Sequence, residues 1–282
     1  MKSVVVTGAS TGIGWGCAKV LTKKGFRVFG SVRKTADAER LKNELGANFV
    51  PLIFDVTDEA AVQAGASVVT AALDGEPLFG LVNNAGIAVS GPLLYLDVND
   101  FRQQLEVNVT GPLIVTQAFA PLLTSHATKQ NRPGRIVMMS SVGGTNATPF
   151  VGPYNASKFA LEGLSEALRR EVMLLGIDVI VIAPGAVATP IWDKAESVDV
   201  TRYANTPFAP ALNKLRDFML AGGRRGLKPE RLGRAVWTAL TTAKPKVRYV
   251  VTPDVLQNFI VNTLPKRTVD RIIGGRLGLL PK

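Results

Sequence analysis

The 282-residue chain has one cysteine, one histidine, and only 22 acidic residues against 33 basic ones. A lone cysteine forms no internal disulfide, which points to a reducing, cytoplasmic setting. Cys17 falls in an early helical stretch, where a small buried apolar residue is expected. His126 sits among polar residues near a helix end and reads as a surface residue rather than a catalytic one. No metal site is expected. No window holds about 18 uninterrupted apolar residues, so no integral membrane segment is expected. Only Met1, Lys2 and Ser3 precede the apolar run Val4-Val5-Val6, too few residues for a secretory leader.

The shortage of acid leaves a formal net charge of +11. Nucleic acid, an anionic membrane surface or a polyanionic small ligand could each balance it. Much of the excess is local. Residues 244–282 hold eight basic and two acidic residues, and Arg224, Arg225, Lys228, Arg231 and Arg234 form a second cluster. Such runs are usually solvated helix faces. There is no zinc-finger spacing and no RNA-binding aromatic signature, so no nucleic acid partner is expected. Peripheral membrane contact by the basic C-terminal tail stays open.

What the chain does have is a regular alternation of apolar runs and amphipathic stretches. Strands are expected at Val4–Val6, Arg27–Val32, Val50–Phe54, Phe79–Val82, Arg135–Met139, Ile177–Ala183 and Tyr249–Val251. Helices are expected at Ile13–Lys24, Ala36–Leu45, Glu59–Leu73, Asn99–Leu123 with a break near Gly111-Pro112, Tyr154–Leu175, and Lys228–Thr242. Continuous apolar strands between helices imply a parallel sheet covered on both faces. With right-handed connections the fold class is α/β: a Rossmann-type doubly wound sheet in three layers, forming a single domain over 1–282. Ligands then bind at the carboxyl ends of the strands. Residues 186–225, carrying Pro190, Pro207 and Pro210, read as an irregular lid. Residues 255–282 read as an amphipathic tail broken at Pro265.

Thr7-Gly8-Ala9-Ser10-Thr11-Gly12-Ile13-Gly14 lies between the first strand and the first helix. Glycines there permit a sharp turn and close approach of the backbone to a pyrophosphate, which the helix N-terminus attracts. At the end of the second strand an acid would select a free ribose 2′-hydroxyl. This chain has Ser31-Val32-Arg33-Lys34 instead. Arg33, with Lys34 or the Ser31 hydroxyl, can donate to a 2′-phosphate, so NADP(H) is preferred and NAD(H) stays open. Asp37, the nearest acid, is expected in the first turn of the next helix.

Tyr154 and Lys158 stand four apart on one helical face, and Ser141 follows the fifth strand. A free tyrosine titrates near 10. An adjacent ammonium and an oxidised nicotinamide lower that value enough for proton transfer to or from a carbonyl or alcohol oxygen. Ser141 would offer its hydroxyl to the same oxygen.

With Asn83-Asn84-Ala85-Gly86, Asn108 in Asn108-Val109-Thr110-Gly111, and the thirteen-residue gap from Ser141 to Tyr154, the sequence resembles the short-chain dehydrogenase/reductase family over nearly its whole length. The resemblance implies a catalytic set of Asn108, Ser141, Tyr154 and Lys158. Tyr154 would be the acid/base, Ser141 would orient the substrate oxygen, and Lys158 would tune Tyr154 and bind the nicotinamide ribose. Asn108 would hold a proton-relaying water, or hydrogen-bond across a helix kink. It implies cofactor contacts from Gly8, Ser10, Thr11, Gly12, Ile13, Gly14, Arg33, Lys34, Asp55, Val56, Asn83, Ala85, Gly86, Tyr154, Lys158, Pro184, Gly185, Val187 and Thr189. Substrate contacts are expected from Ser141, Phe150, Tyr154 and Trp192, with Tyr203, Phe208, Leu212, Leu215 and Phe218 supplying further apolar groups to the lid and Ala147 and Val151 to the opposite wall.

Gly30-Ser31-Val32-Arg33-Lys34 and the stretch from Lys246-Val247-Arg248-Tyr249 through Leu264-Pro265 resemble the steroid and retinol dehydrogenase branch. The expected activity is hydride transfer between NADP(H) and a hydrophobic ketone, aldehyde or secondary alcohol. The alternatives are a non-catalytic NADP(H)-binding sensor or scaffold and a sugar-nucleotide epimerase; the latter lacks room here for a separate substrate domain. By analogy, the helices at Asn99–Leu123 and Tyr154–Leu175 would pair subunits into a homodimer or homotetramer.

Overall fold

The computed structural model describes residues 1–124, 133–196 and 200–281; His126 and Lys282 lie outside them. Seven parallel strands form one sheet: β1 (Ser3–Val6), β2 (Arg27–Val32), β3 (Phe49–Ile53), β4 (Gly80–Asn83), β5 (Arg135–Met139), β6 (Asp178–Pro184) and β7 (Arg248–Val251). Their order is β3-β2-β1-β4-β5-β6-β7, so the winding reverses between β1 and β4. The reversal opens a crevice at their carboxyl ends.

Successive side chains of a strand face opposite ways, and both faces here are apolar. Val4 and Val6 belong to one core and Val5 to the other; Val137 and Ile136 divide in the same manner. The first core is covered by α1 (Gly12–Lys23), α2 (Thr35–Leu45) and α9 (Pro229–Thr241), through Cys17, Leu21, Leu41 and Val236. The second is covered by α3 (Glu59–Leu73), α5 (Gly111–Thr124) and α6 (Gly152–Glu171), through Val69, Phe119 and Leu161. This is the expected three-layer doubly wound architecture.

Cys17 is fully buried, and burial pushes its thiol up to about 12. A thiol-specific reagent at pH 8 is therefore expected to leave Cys17 unmodified in the native protein and to label it fully after denaturation. The protonated thiol favours the fold below the unfolded value of about 9, and that contribution is lost as pH rises from about 9 to 12.

Three departures from the sequence reading have physical causes. The break in the long helix comes one turn before Gly111-Pro112: α4 (Val98–Leu105) passes into α5 through a π-helical turn at Glu106–Thr110. Pro112 has no N–H to return to the Asn108 carbonyl, so the ladder changes register upstream of the proline. Between residues 186 and 225 the described chain is not irregular throughout. It holds α7 (Ile191–Glu196) and α8 (Ala209–Arg224), the latter with Pro210 in its first turn, where a missing N–H costs nothing, and burying Leu212, Leu215 and Leu220. The stretch Val98–Thr124 is long and apolar enough by composition to cross a membrane. It buries Gln104 and Asn108, whose amides hydrogen-bond inside the fold.

The tail forms α10 (Val255–Thr263) and α11 (Lys266–Leu277), with Pro265 between them as expected. Helix α10 buries no residue, whereas α11 buries Val269. Arg224, Arg225, Lys228, Arg231 and Arg234 are exposed or on helix faces open to solvent, which accounts for that part of the positive charge locally.

Candidate active site

The cofactor side is built where β1 ends. Gly8 and Gly12 take positive φ of 65° and 58°, the left-handed region that admits glycine without strain. The Thr7 side chain receives the backbone N–H groups of Asn84 (2.9 Å) and Ala85 (3.0 Å), and Asn84 Nδ2 donates to the carbonyls of Thr7 (2.9 Å) and Gly8 (3.3 Å). The loop after β4, with Asn83, Ala85 and Gly86, is thereby locked against the glycine turn. Helix α1 begins at Gly12 with no acid in its first turn, and the Thr11 side chain makes no capping bond. Its leading N–H groups are free for an anion, with Ser10, Ile13 and Gly14 beside them. These features fit a dinucleotide pyrophosphate.

Thr189 closes the turn from the other side: a methyl on Gly12 would lie 3.2 Å from its Cβ. Its segment is fixed by Val187 bridging to Leu227 and by the Gly185 N–H donating to Val251 O at 2.9 Å. Pro184 ends β6.

At the end of β2 the Arg33 guanidinium is 68% exposed and reaches Asp55 Oδ2 at 3.5 Å. Lys34 is exposed at the start of α2. Burial would raise the Asp55 carboxyl, but its two bonds from Thr57 and the Arg33 charge hold it below the usual carboxylate range. The buried Ser31 Oγ accepts the Gly8 N–H at 3.0 Å and so supports the glycine turn. Val56 is buried beneath this edge, against Gly111. Asp37 lies in the first turn of α2, as expected, and pairs with Arg40 at 3.0 Å.

The second half of the site gathers where β4 and β5 end. Ser141 is buried, accepts the Gly143 N–H at 3.0 Å and donates to the Pro184 carbonyl at 3.5 Å; it lies beside Tyr154 in the first turn of α6, since a methyl on Gly143 would meet Ser141 Oγ at 3.4 Å and Tyr154 Cε1 at 3.6 Å. Lys158 Nζ lies 5.7 Å from the Tyr154 ring centre and donates to the Met139 carbonyl at 2.8 Å. Asn108, in the π-helical turn, accepts the Ile87 N–H at 2.9 Å and donates to Ile87 O at 3.0 Å and to Ser157 Oγ at 3.1 Å. These bonds tie the π-helical turn to the loop after β4 and to α6 and do not cross the kink itself.

Among the protein's own groups, burial raises the Tyr154 phenol above its ordinary value, and the Ser141 hydroxyl opposes that rise. The lowering expected from the neighbouring ammonium together with an oxidised nicotinamide does not come from Lys158 alone. Burial also pushes Lys158 down to about 8, against the pull of the Glu162 carboxylate. Both charged forms lose hydration in the same closed site, so lowering the phenol requires a further positive charge there.

On the lid side, Phe150 adopts φ 63°, is buried, and stacks edge-on with Phe208 at 6.0 Å; Tyr203, Leu212 and Leu215 complete the cluster. Trp192 is tied down by its indole N–H to Val187 O at 2.7 Å and packs on Gly223. Phe218 is 69% exposed and stands outside the apolar cluster assigned to it.

Residues that the sequence reading passed over complete the frame. Asn84 was inside a quoted motif. Arg40 donates to the Ser10 carbonyl at 2.7 Å and so braces the phosphate turn. Glu162, four residues after Lys158, binds Ser140 and Arg248. Its helical spacing was the available signal.

A glycine turn at a sheet reversal, beside a serine–tyrosine–lysine cluster, defines a nicotinamide-dependent oxidoreductase. The comparisons agree. Residues 2–199 match the family model for short chain dehydrogenase. The NADPH-dependent 3-dehydrocapnine reductase of Ornithobacterium rhinotracheale is 37% identical over 274 residues, 96% of each chain. Human retinol dehydrogenase 5 is 39% identical over 202 residues, 71% of this chain and 61% of that one. A short chain dehydrogenase/reductase from Burkholderia phymatum, solved with NAD, superposes with a TM-score of 0.77 at 25% identity, covering 96% of this chain and 94% of that one. The chain belongs to the short-chain dehydrogenase/reductase family and resembles its retinol and steroid dehydrogenase branch. It is an oxidoreductase acting on CH–OH groups with a nicotinamide cofactor.

Proposed function

We propose that the protein is an NADP(H)-dependent carbonyl reductase, or in reverse an alcohol dehydrogenase, for a hydrophobic ketone, aldehyde or secondary alcohol. The observation that carries this reading is the placement of Ser141 beside Tyr154, with Lys158 Nζ beneath the ring at 5.7 Å from its centre, at the strand ends next to the glycine turn. A bound reduced nicotinamide supplies the hydride to the carbonyl carbon. Ser141 Oγ orients the carbonyl oxygen, Tyr154 Oη delivers a proton to it, and the product is the alcohol. Lys158 replenishes positive charge beside the phenol. Asn108 ties the π-helical turn to the loop after β4 and to Ser157, and would hold a proton-relaying water there.

We take 1–282 as one domain, 186–225 as the substrate lid and 255–282 as its tail. The buried cluster of Phe150, Tyr203 and Leu212, with Phe208 packed on it, supports an apolar substrate. Exposed Leu113 and Phe159 on α5 and α6 support a homo-oligomer joined through those helices. The test is NADPH consumption over ketones and aldehydes of graded size, including steroids and retinal. Turnover of an apolar member supports the assignment. NADPH binding with no turnover across the panel overturns it in favour of a sensor.

The preference for the phosphorylated cofactor rests on Arg33, with Lys34 beside it and no acid at the end of β2; the NADPH-dependent relative agrees. Its exposed guanidinium keeps N–H groups beyond the long contact to Asp55. A charge-assisted bond contributes roughly 1.5–3 kcal/mol. Arg33→Ala should therefore lower the ratio of kcat/KM for NADPH over NADH by about ten- to a hundred-fold. An unchanged ratio removes Arg33 from the site.

A further inference from the structure

The catalytic helix carries a second charged residue on the Lys158 face. Glu162 stands one turn further along α6 and is enclosed: its side chain is 19% exposed. Oε1 receives Ser140 Oγ at 2.7 Å and Arg248 Nη2 at 3.1 Å, while Arg248 Nε lies 3.2 Å from both carboxylate oxygens. The donors come from the end of β5, one residue before Ser141, and from the start of the edge strand β7. Gly144 leaves space for this junction, since a methyl there would meet Ser140 Oγ at 2.8 Å and both Glu162 Cγ and the Lys158 carbonyl at 3.1 Å.

We propose that Glu162, clamped by Ser140 and Arg248, is a positioning residue that acts as the counter-anion of Lys158 and keeps its ammonium charged and seated beneath Tyr154. This rests on the reading of Lys158 as part of the catalytic set. Two strands, β5 at its end and β7 at its start, meet the helix through one carboxylate. Met139 O holds the Lys158 head, Ser140 holds Glu162, and Ser141 lies beside Tyr154, in three consecutive residues. A bidentate arginine fixes the carboxylate geometrically and also offsets part of its charge. The clamp thereby sets how strongly Glu162 acts on Lys158.

Other charges near α6 are engaged or turned away. On α4, Asp100 pairs with Arg202 and Arg102 bonds Asn99; Glu106 of the π-helical turn is exposed; Asp178 of β6 pairs with Arg135. The turn at Val142–Gly144 carries no charge. Among the described residues, Glu162 supplies the charge that acts on Lys158, whose ammonium burial alone would drive further towards neutrality.

The test uses full-length protein labelled with [ε-13C]lysine, the Lys158 signal being the one missing in Lys158→Met. Its titration midpoint is expected near 8 in the unaltered protein. Glu162→Gln, which keeps the shape and removes the charge, should lower that midpoint by about one pH unit or more. Arg248→Gln removes the offsetting cation and should raise it. Opposite shifts separate an electrostatic role from simple loosening of the helix, which would move both variants the same way. A midpoint unmoved in Glu162→Gln, or shifts of one sign in both, overturns the proposal; if Glu162→Gln does not fold, the sign in Arg248→Gln decides alone. Carbonyl turnover that survives in Lys158→Met overturns the underlying assignment of the lysine. Loss of turnover there with an unmoved midpoint in Glu162→Gln removes the role of Glu162 only.

Discussion

Tyr154→Phe is expected to reduce carbonyl turnover at least about 1000-fold, the upper range for loss of a general acid, while NADPH affinity stays within about three-fold. Phenylalanine keeps the ring that packs over Lys158 and removes only the hydroxyl. The glycine turn, the β4 loop and the 184–189 segment do not touch that oxygen through any bond described above, so the cofactor frame should persist. The loss should appear mainly in kcat, because the missing interaction is made as the proton moves rather than when the substrate docks. Cofactor fluorescence titration and steady-state kinetics on the best substrate from the carbonyl panel are the two measurements. Turnover retained within ten-fold would mean that another group supplies the proton.

The phenol's environment explains why this residue carries so large an expected effect. Burial keeps it protonated near neutrality, which suits donation to a carbonyl. Running the reaction towards the ketone needs the phenolate, which the buried site disfavours until positive charge is added. Lys158, itself pushed down to about 8, sits close to the pH at which its charge is lost. A small change in its surroundings, such as the Glu162 clamp, therefore has leverage on the proton-transfer step.

Much of this arrangement was legible in the sequence because its determinants are local. Val4–Val6, Ile136–Met139 and Val179–Ala183 lie in strands buried on both faces and read as unbroken apolar runs. Glycine at positions 8 and 12 answers a backbone demand that no other residue meets as easily. Tyr154 and Lys158 are related by helical spacing alone. The illegible parts depend on tertiary partners. Pro190, Pro207 and Pro210 suggested irregular chain, yet burial of Leu212 and Leu215 against Phe150 outweighs those local signals and α8 forms. Ser31 looked like a free hydroxyl until the β1–β2 pairing placed it against the Gly8 N–H. Phe218 and Leu215 are three apart on α8, and only packing decides that Leu215 is covered while Phe218 is not. The partners of Glu162 come from β5 and β7, 22 and 86 residues away along the chain.

Gly14→Ala should be the most damaging single methyl in the cofactor site. The added carbon would lie 2.1 Å from the Gly8 carbonyl oxygen and 2.5 Å from Asn84 Nδ2. Neither neighbour can yield cheaply: Gly8 is held by its N–H to Ser31, and Asn84 already bonds Thr7 and Gly8. Relief therefore requires α1 to move off the strand ends, and its N-terminal N–H groups leave the anion position with it. Overpacking typically costs about 1–3 kcal/mol, and rigid backbone on both sides puts this site at the upper end. NADPH affinity is expected to fall at least about 100-fold, since a displaced helix terminus forfeits several charge-assisted bonds at once. Gly222→Ala on the exposed side of α8 is the matched control, because nothing lies within 4 Å of the added methyl. It should stabilise the protein by roughly 0.5–1 kcal/mol through helix propensity and leave NADPH binding unchanged. Thermal melts and cofactor titrations of the pair separate the cost of crowding from the cost of adding a methyl. Equal behaviour of the two variants would mean that α1 is not seated against Gly8 as described.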